Sequence, residues 1–159
     1  MVSVKIIASY IYHRYLKEFE VVIDEMKLHK LLYFSQRESF VILDEPMFPE
    51  LFKAWKYGPV MLEIRDLYRM KSFEEQNNDS LTKYNGVFDF VFSEYAQRNS
   101  WDLSMLTHSE ISWKNARGNT PIGENCNNEI STDDIKLDAN RIKLERFFYE
   151  QLNSKFIVK

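Results

Sequence analysis

The chain has 159 residues, 45% of them hydrophobic and 15% aromatic, with four glycines and four prolines; this supplies one core rich in rings and leaves little for disordered linkers or a second domain. Its formal net charge of −3 offers a phosphate backbone no overall attraction. The lone cysteine, Cys126, excludes an internal disulfide and a thiolate-rich zinc site, and fits a reducing, cytoplasmic compartment.

In chain order, Met1 to Phe19 is interrupted by Lys5, His13, Arg14, Lys17 and Glu18, so it reads neither as a secretion signal nor as a membrane span. Val4, Ile7, Ala8, Ile11 and Tyr15 recur there at helical spacing. Asp24 can cap a second helix, whose inner face carries Leu28, Leu31, Leu32 and Ser35 and whose other sides carry Lys27, Lys30 and Arg37. Leu51 to Tyr57 alternates enough for a small β-element, a short strand or hairpin, between helices two and three. Pro59, Val60, Ile64, Leu67 and Tyr68 open and line the third helix, which fades near Met70. Asn77-Asn78-Asp79-Ser80 has the chemistry of a loop tip.

Phe88, Val91, Phe92 and Tyr95 sit at offsets 0, 3, 4 and 7, the signature of a buried helix face. Ser100 suits the cap of a short helix through Leu106, and Gly118 to Asn128 reads as loop. A closing helix over 131–157 starts at Ser131-Thr132-Asp133-Asp134, with Ile135, Ala139, Ile142 and Tyr149 facing inward and Leu144, Phe148 and Leu152 widening that side. The expectation is a mainly α, compact single domain over 1–159, with about six helices.

Signatures of catalysis are missing: there is no glycine-rich phosphate loop, no His-Glu-x-x-His helix and no Gly-x-Ser-x-Gly turn. His13, His29 and His108 lack metal spacing, so neither a metal nor a cofactor is implied. His108 and Glu110 could form a proton-transfer pair, although polar groups in that position equally serve to close a helix. Trp55 and Trp113 are either core fillers or anchors for a protein partner. Lys27, Lys30, Arg37, Lys53 and Lys56, interleaved with Tyr33 and Tyr57, could make a basic surface, but Glu25, Glu38 and Glu50 break its field and favour a protein partner over nucleic acid.

Three blocks occur in order: Lys27-Leu28-x-Lys30-Leu31-Leu32-Tyr33, Ala54-Trp55-x-x-Gly58-Pro59-Val60, and Leu106-Thr107-His108 followed by Trp113 and Ala116. Together they resemble the Panacea domain of SocA-like antitoxins, most clearly over 1–117. His29 stands where that family commonly has glutamine, and Ser112 where it has proline. The resemblance implies a mainly helical antitoxin, not an enzyme, that binds and neutralises a cognate toxin, with presentation of the toxin to a protease as a further role in some relatives. By side-chain type, the residues that best suit interface anchors, where exposed, are Lys30, Tyr33, Tyr57 and Trp113, while Leu28, Leu31, Trp55, Gly58, Pro59 and His108 belong to the family blocks as framework. A phage or mobile-element regulator that touches nucleic acid or a host factor is the alternative.

Overall fold

The computed structural model describes residues 1–75 and 79–157, except for the side chains of 156 and 157. Asn77 and Asn78 of the expected loop tip lie outside the described residues, whereas Asp79 and Ser80 open a short 3-10 helix, Asp79–Tyr84. Among the described residues the order is α1 Val4–Phe19, α2 Glu25–Leu43, β1 Lys53–Trp55, β2 Gly58–Val60, α3 Leu62–Arg69, α4 Asn85–Val91, α5 Ser100–His108, α6 Ile111–Arg117 and α7 Thr132–Ile157. The fold is mainly helical, with a single small hairpin between α2 and α3. None of these helices is long and apolar enough to cross a membrane.

The axis of the molecule is α2. Asp24 caps it through an Oδ1 that accepts from Lys27 N–H at 2.8 Å, and α1, α3, α4, α5, α7 and β2 all pack against it. Every residue from Lys27 through Phe40 is therefore buried. This corrects the expectation that Lys27, Lys30 and Arg37 project from outer sides: a helix with neighbours on all sides has no outer side. Their polar heads are taken up internally, as when Lys27 Nζ donates to Tyr15 Oη and to the Ala96 carbonyl, both at 3.1 Å.

Pro59 does not begin a helix. It lies in β2, opposite Ala54 in an antiparallel register that also pairs Lys53 with Val60 and Trp55 with Gly58; a proline with no N–H to donate is tolerated in so short an edge strand. The far edge of β1 is closed by the loop before α7, where Ala54 N–H donates to the Asn128 carbonyl at 2.9 Å and Ile130 N–H to that of Phe52 at 2.8 Å.

The Phe88, Val91, Phe92, Tyr95 face is buried as its spacing requires. α4 widens into a π-helical turn at Phe92–Ala96, and Tyr95 there stacks on Phe34 with ring centres 4.2 Å apart. Asn99, one residue ahead of the expected Ser100, caps α5 by accepting from Asp102 N–H at 2.9 Å. α6 is an additional helix, separated from α5 by only Ser109 and Glu110.

The closing helix differs most from expectation. Ile135 and Ala139 are buried, but Leu144, Phe147, Phe148, Tyr149 and Leu152 are all exposed. Among the described residues Arg146 is the last of α7 with a hydrogen bond to the body, a bidentate pair with Glu38, and residues 147–155 are exposed. An inner face assigned from spacing presupposes something opposite it, and here the helix runs on past its support.

Candidate functional site

The hairpin is where the sequence blocks meet. Lys56 and Tyr57 form its turn, and Gly58 follows at φ 101°, a conformation that L side chains rarely adopt. A Cβ at Gly58 would also sit 2.3 Å from Thr107 Oγ1 and 2.8 Å from Lys30 Cε, so α2 and α5 both press on this one residue. Lys30 Nζ donates to the Pro59 carbonyl at 3.2 Å and Ser104 Oγ to that of Tyr57 at 2.7 Å. From α6, Trp113 Nε1 donates to the Trp55 carbonyl at 2.9 Å and Arg117 Nη1 to that of Ala54 at 2.8 Å. Side chains of three helices thus hold the hairpin by its carbonyls. His108 adds a ring stacked on Trp113, 4.3 Å centre to centre.

Beside the hairpin lies a cleft of about 370 Å³ with largely apolar walls, lined by Met26, Trp55, Tyr57 and Val60 and also by His29 and Lys30. Burial, with Lys30 and Arg65 adding positive charge, lowers His29 to about 3. Burial lowers Lys30 to about 7 against the pull of Asp24. His108 is lowered too, first by burial and then by Lys30.

A second polar cluster lies farther along α2. Tyr33 Oη is 2.8 Å from Ser112 Oγ and donates weakly, at 3.3 Å each, toward Glu110 and Asp138. Arg37 pairs with Glu110 and donates to Glu38 at 2.8 Å and Tyr95 Oη at 2.7 Å. Asp138 reaches from α7 to accept the first N–H groups of α6, Ile111 at 2.7 Å and Ser112 at 2.9 Å, an anion at a helix N-terminus. Burial outweighs Arg37 and, helped by Asp138, pushes Glu110 up to about 7. Tyr33 is held well above its ordinary value by burial and the same two carboxyls.

A family model described as Antitoxin SocA-like, Panacea domain matches residues 28–114, more than half of the chain and a span holding nearly all of the three blocks. The chain belongs to the SocA-like Panacea family. Neither a curated protein nor a solved structure matches it.

The Panacea blocks occupy distinct places. Leu28 and Leu31 are core, Gly58 and Pro59 are buried in the hairpin, Trp55 is half-buried with Arg65 stacked on it at 4.8 Å, and His108 is half-buried against Trp113. Ser112, at the place where proline is common, uses both its N–H and its hydroxyl in the Tyr33–Asp138 cluster; a proline would lack the first of these bonds.

Of the four suggested contact residues, Lys30, Tyr33 and Trp113 are buried and only Tyr57 is exposed, at 44%. The condition of exposure fails for the first three because each has an internal partner that draws it inward: the Pro59 carbonyl, the Ser112 hydroxyl and the Trp55 carbonyl. The proposed basic surface dissolves with Lys27, Lys30 and Arg37, and Lys53 pairs with Glu129 at 2.9 Å.

His108 and Glu110 fall into the two different clusters and make no hydrogen bond with one another. Thr107 and Ser109 close α5, each donating its hydroxyl at 2.7 Å to the carbonyl three residues back. Among the described residues no group of three or more His, Cys, Asp or Glu is placed to hold a metal ion.

Two exposed residues escaped the sequence reading. Trp101, 59% exposed, meets Tyr57 edge-on at 5.3 Å, and Met105, 64% exposed, follows it one turn later on α5. Their signal was present: Leu103, Ser104 and Thr107 take the inner face of α5, so residues four apart at 101 and 105 share the other.

Proposed function

We propose that this Panacea protein, acting as one domain over 1–159, neutralises a cognate protein toxin by binding it directly, and that the hairpin face is the contact. The observation that carries this reading is the exposed pair of Tyr57, in the turn of a hairpin that three helices hold by its carbonyls, and Trp101 on α5, with Met105 one turn beyond. Large aromatic side chains on a rigid support are the usual source of interface energy, because they bury area while losing little conformational freedom. Neutralisation by masking requires no catalytic group. The separation of His108 from Glu110, the burial of Lys27, Lys30 and Arg37, and the pairing of Lys53 with Glu129 favour protein binding over both hydrolysis and nucleic-acid contact. Handing the bound toxin to a protease is a compatible second step.

The test is co-expression with the product of each neighbouring gene, scored for growth. The wild-type chain should rescue growth from one of them. Tyr57→Ala and Trp101→Ala should lose rescue while keeping the parental melting temperature. If no neighbouring product is toxic or bound, the antitoxin reading fails.

A further inference from the structure

The floor of the hairpin cleft has hydrogen-bond donors without acceptors to match them. His29 Nδ1 accepts Met61 N–H at 3.3 Å, which places the hydrogen of the neutral ring on Nε2. That Nε2 is buried and has no partner among the described residues. Its neighbour Lys30 is 1% exposed and, among the described residues, donates only to the Pro59 carbonyl. The hydroxyl nearest Gly58, that of Thr107, already gives its hydrogen to the Ser104 carbonyl.

Unmet donors at such depth are costly, a charged one more than a neutral one. The surroundings sharpen the demand for an anion. Arg65 lies over the Trp55 ring at 4.8 Å, and Lys56 at the turn has no ion pair among the described residues, its ammonium resting 4.8 Å from the Tyr57 ring. Glu25, the acid among the lining residues, faces Arg65 and Arg69 at 3.6 and 3.9 Å. The pKa of His29, lowered first by burial, is lowered further by the same positive field, from Lys30 and Arg65.

We propose that this cleft is a carboxylate-binding site: His29 Nε2–H and Lys30 Nζ–H donate to the oxygens of a carboxylate whose apolar or aromatic body lies among Met26, Trp55, Tyr57 and Val60. Two adjacent buried residues with unmet donors match the two oxygens of a carboxylate, and the largely apolar walls suit its hydrocarbon body. The carboxylate belongs to the protein partner, an assignment that rests on the toxin-binding reading. It comes from either the partner's C-terminus or an acidic side chain beside an apolar one. A bound anion would also hold Lys30 protonated.

The test uses the full chain alone with three probes: N-acetylphenylalanine, its uncharged amide, and N-acetyl-glutamyl-phenylalanine amide. Binding is followed by the NMR signal of the His29 ring nitrogens. At least one acid should bind with a dissociation constant of about 1 mM, at least about tenfold tighter than the uncharged amide, and should shift Nε2. Preference for the first probe identifies a C-terminal source and preference for the third a side-chain source; equal response of all three, or of none, overturns the site.

Lys30→Met, which keeps the length of the side chain, should abolish the acid preference. If that variant does not fold, the acid and amide comparison on the wild type decides. Tests with the toxin separate the two claims. A toxin held equally tightly by wild type and by folded Lys30→Met overturns the partner assignment and leaves the antitoxin reading standing. Acid-selective probe binding without any toxin binding supports the carboxylate site and overturns the antitoxin reading.

Discussion

One helix carries two buried polar clusters of opposite character. Around Tyr33, Arg37 and Glu38, cations and carboxylates answer one another: Arg37 bonds Glu110, Glu38 and Tyr95, Arg146 grips Glu38 with both terminal nitrogens, and Asp138 caps α6. Arg141 of α7 lies 3.6 Å from both Glu110 and Asp138, and among the described residues only its Nε and that of Arg37 are left over there. One turn and more toward the N-terminus, His29 and Lys30 carry donors that the fold does not meet, next to a cleft lined by the exposed Tyr57 and the half-buried Trp55. Paired polar groups fix how α2, α6 and α7 sit together, whereas unpaired ones gain only when something else arrives. The first cluster belongs to architecture, the second to recognition.

The largest expected effect breaks the first cluster. Arg37→Met leaves Glu110 and Glu38 buried without their shared cation, and loss of one partner from a buried pair costs about 3–5 kcal/mol. Urea denaturation should show this; a loss below about 1 kcal/mol would mean the network is not holding the helices. Gly58→Ala comes next, at about 2–3 kcal/mol, since it combines a left-handed φ with the approach of Thr107. Adding Thr107→Ala should restore part of that loss, and strict additivity of the two changes would show that the contact is not felt.

Lys30→Met should behave opposite to Arg37→Met, although both residues are fully buried cations of α2. With a single carbonyl partner to lose and a buried ammonium to dispense with, the variant should be as stable as the parent or up to about 1 kcal/mol more stable. Destabilisation as large as that of Arg37→Met would erase the distinction between the clusters.

The clusters also differ in sign against pH. His29 stays neutral in the folded chain down to about 3, whereas an unfolded histidine takes up a proton near 6.5. The unfolded state then binds more protons, so this residue drains stability as pH falls through that window, at most ~1.4 kcal/mol per pH unit. Glu110, raised to about 7 from 4.5, keeps its proton when folded and does the reverse, adding stability as pH falls from 7 toward 4.5. His29→Gln should therefore make the chain relatively more stable at pH 5 than at pH 7.5, measured against the parent. An identical pH profile for the two would place His29 in a more hydrated setting than the cleft floor.

Much of this arrangement was legible in the sequence. Asp24 capping α2, the Phe88 to Tyr95 face and the hairpin between α2 and α3 follow from local rules that neighbours did not override. The misses share a cause. Periodicity assigns one inner face to each helix, so it could not foresee that α2 is enclosed on all sides, with Lys30 and Tyr33 drawn inward, or that α7 runs beyond its support and leaves Phe148 and Leu152 in solvent. Pro59 reads as a helix start because its φ suits one, yet the same φ suits an edge strand when the preceding glycine turns the chain. The candidate site depended on distances between α2, α5 and the hairpin, which no spacing along the chain encodes; only the exposed face of α5, with Trp101 and Met105, could have been found by counting.

The smallest effect on stability bears on the central claim. Trp101→Ala removes an exposed ring and should shift unfolding by no more than about 0.5 kcal/mol. Titration calorimetry of the purified chain against the toxic product of a neighbouring gene should give stoichiometric binding for the wild type and an affinity at least about thirtyfold weaker for Trp101→Ala, the loss of about 2 kcal/mol typical of an interface anchor. Unchanged affinity for a fully folded Trp101→Ala, confirmed with Tyr57→Ala, would contradict the assignment of the hairpin face as the toxin-binding surface.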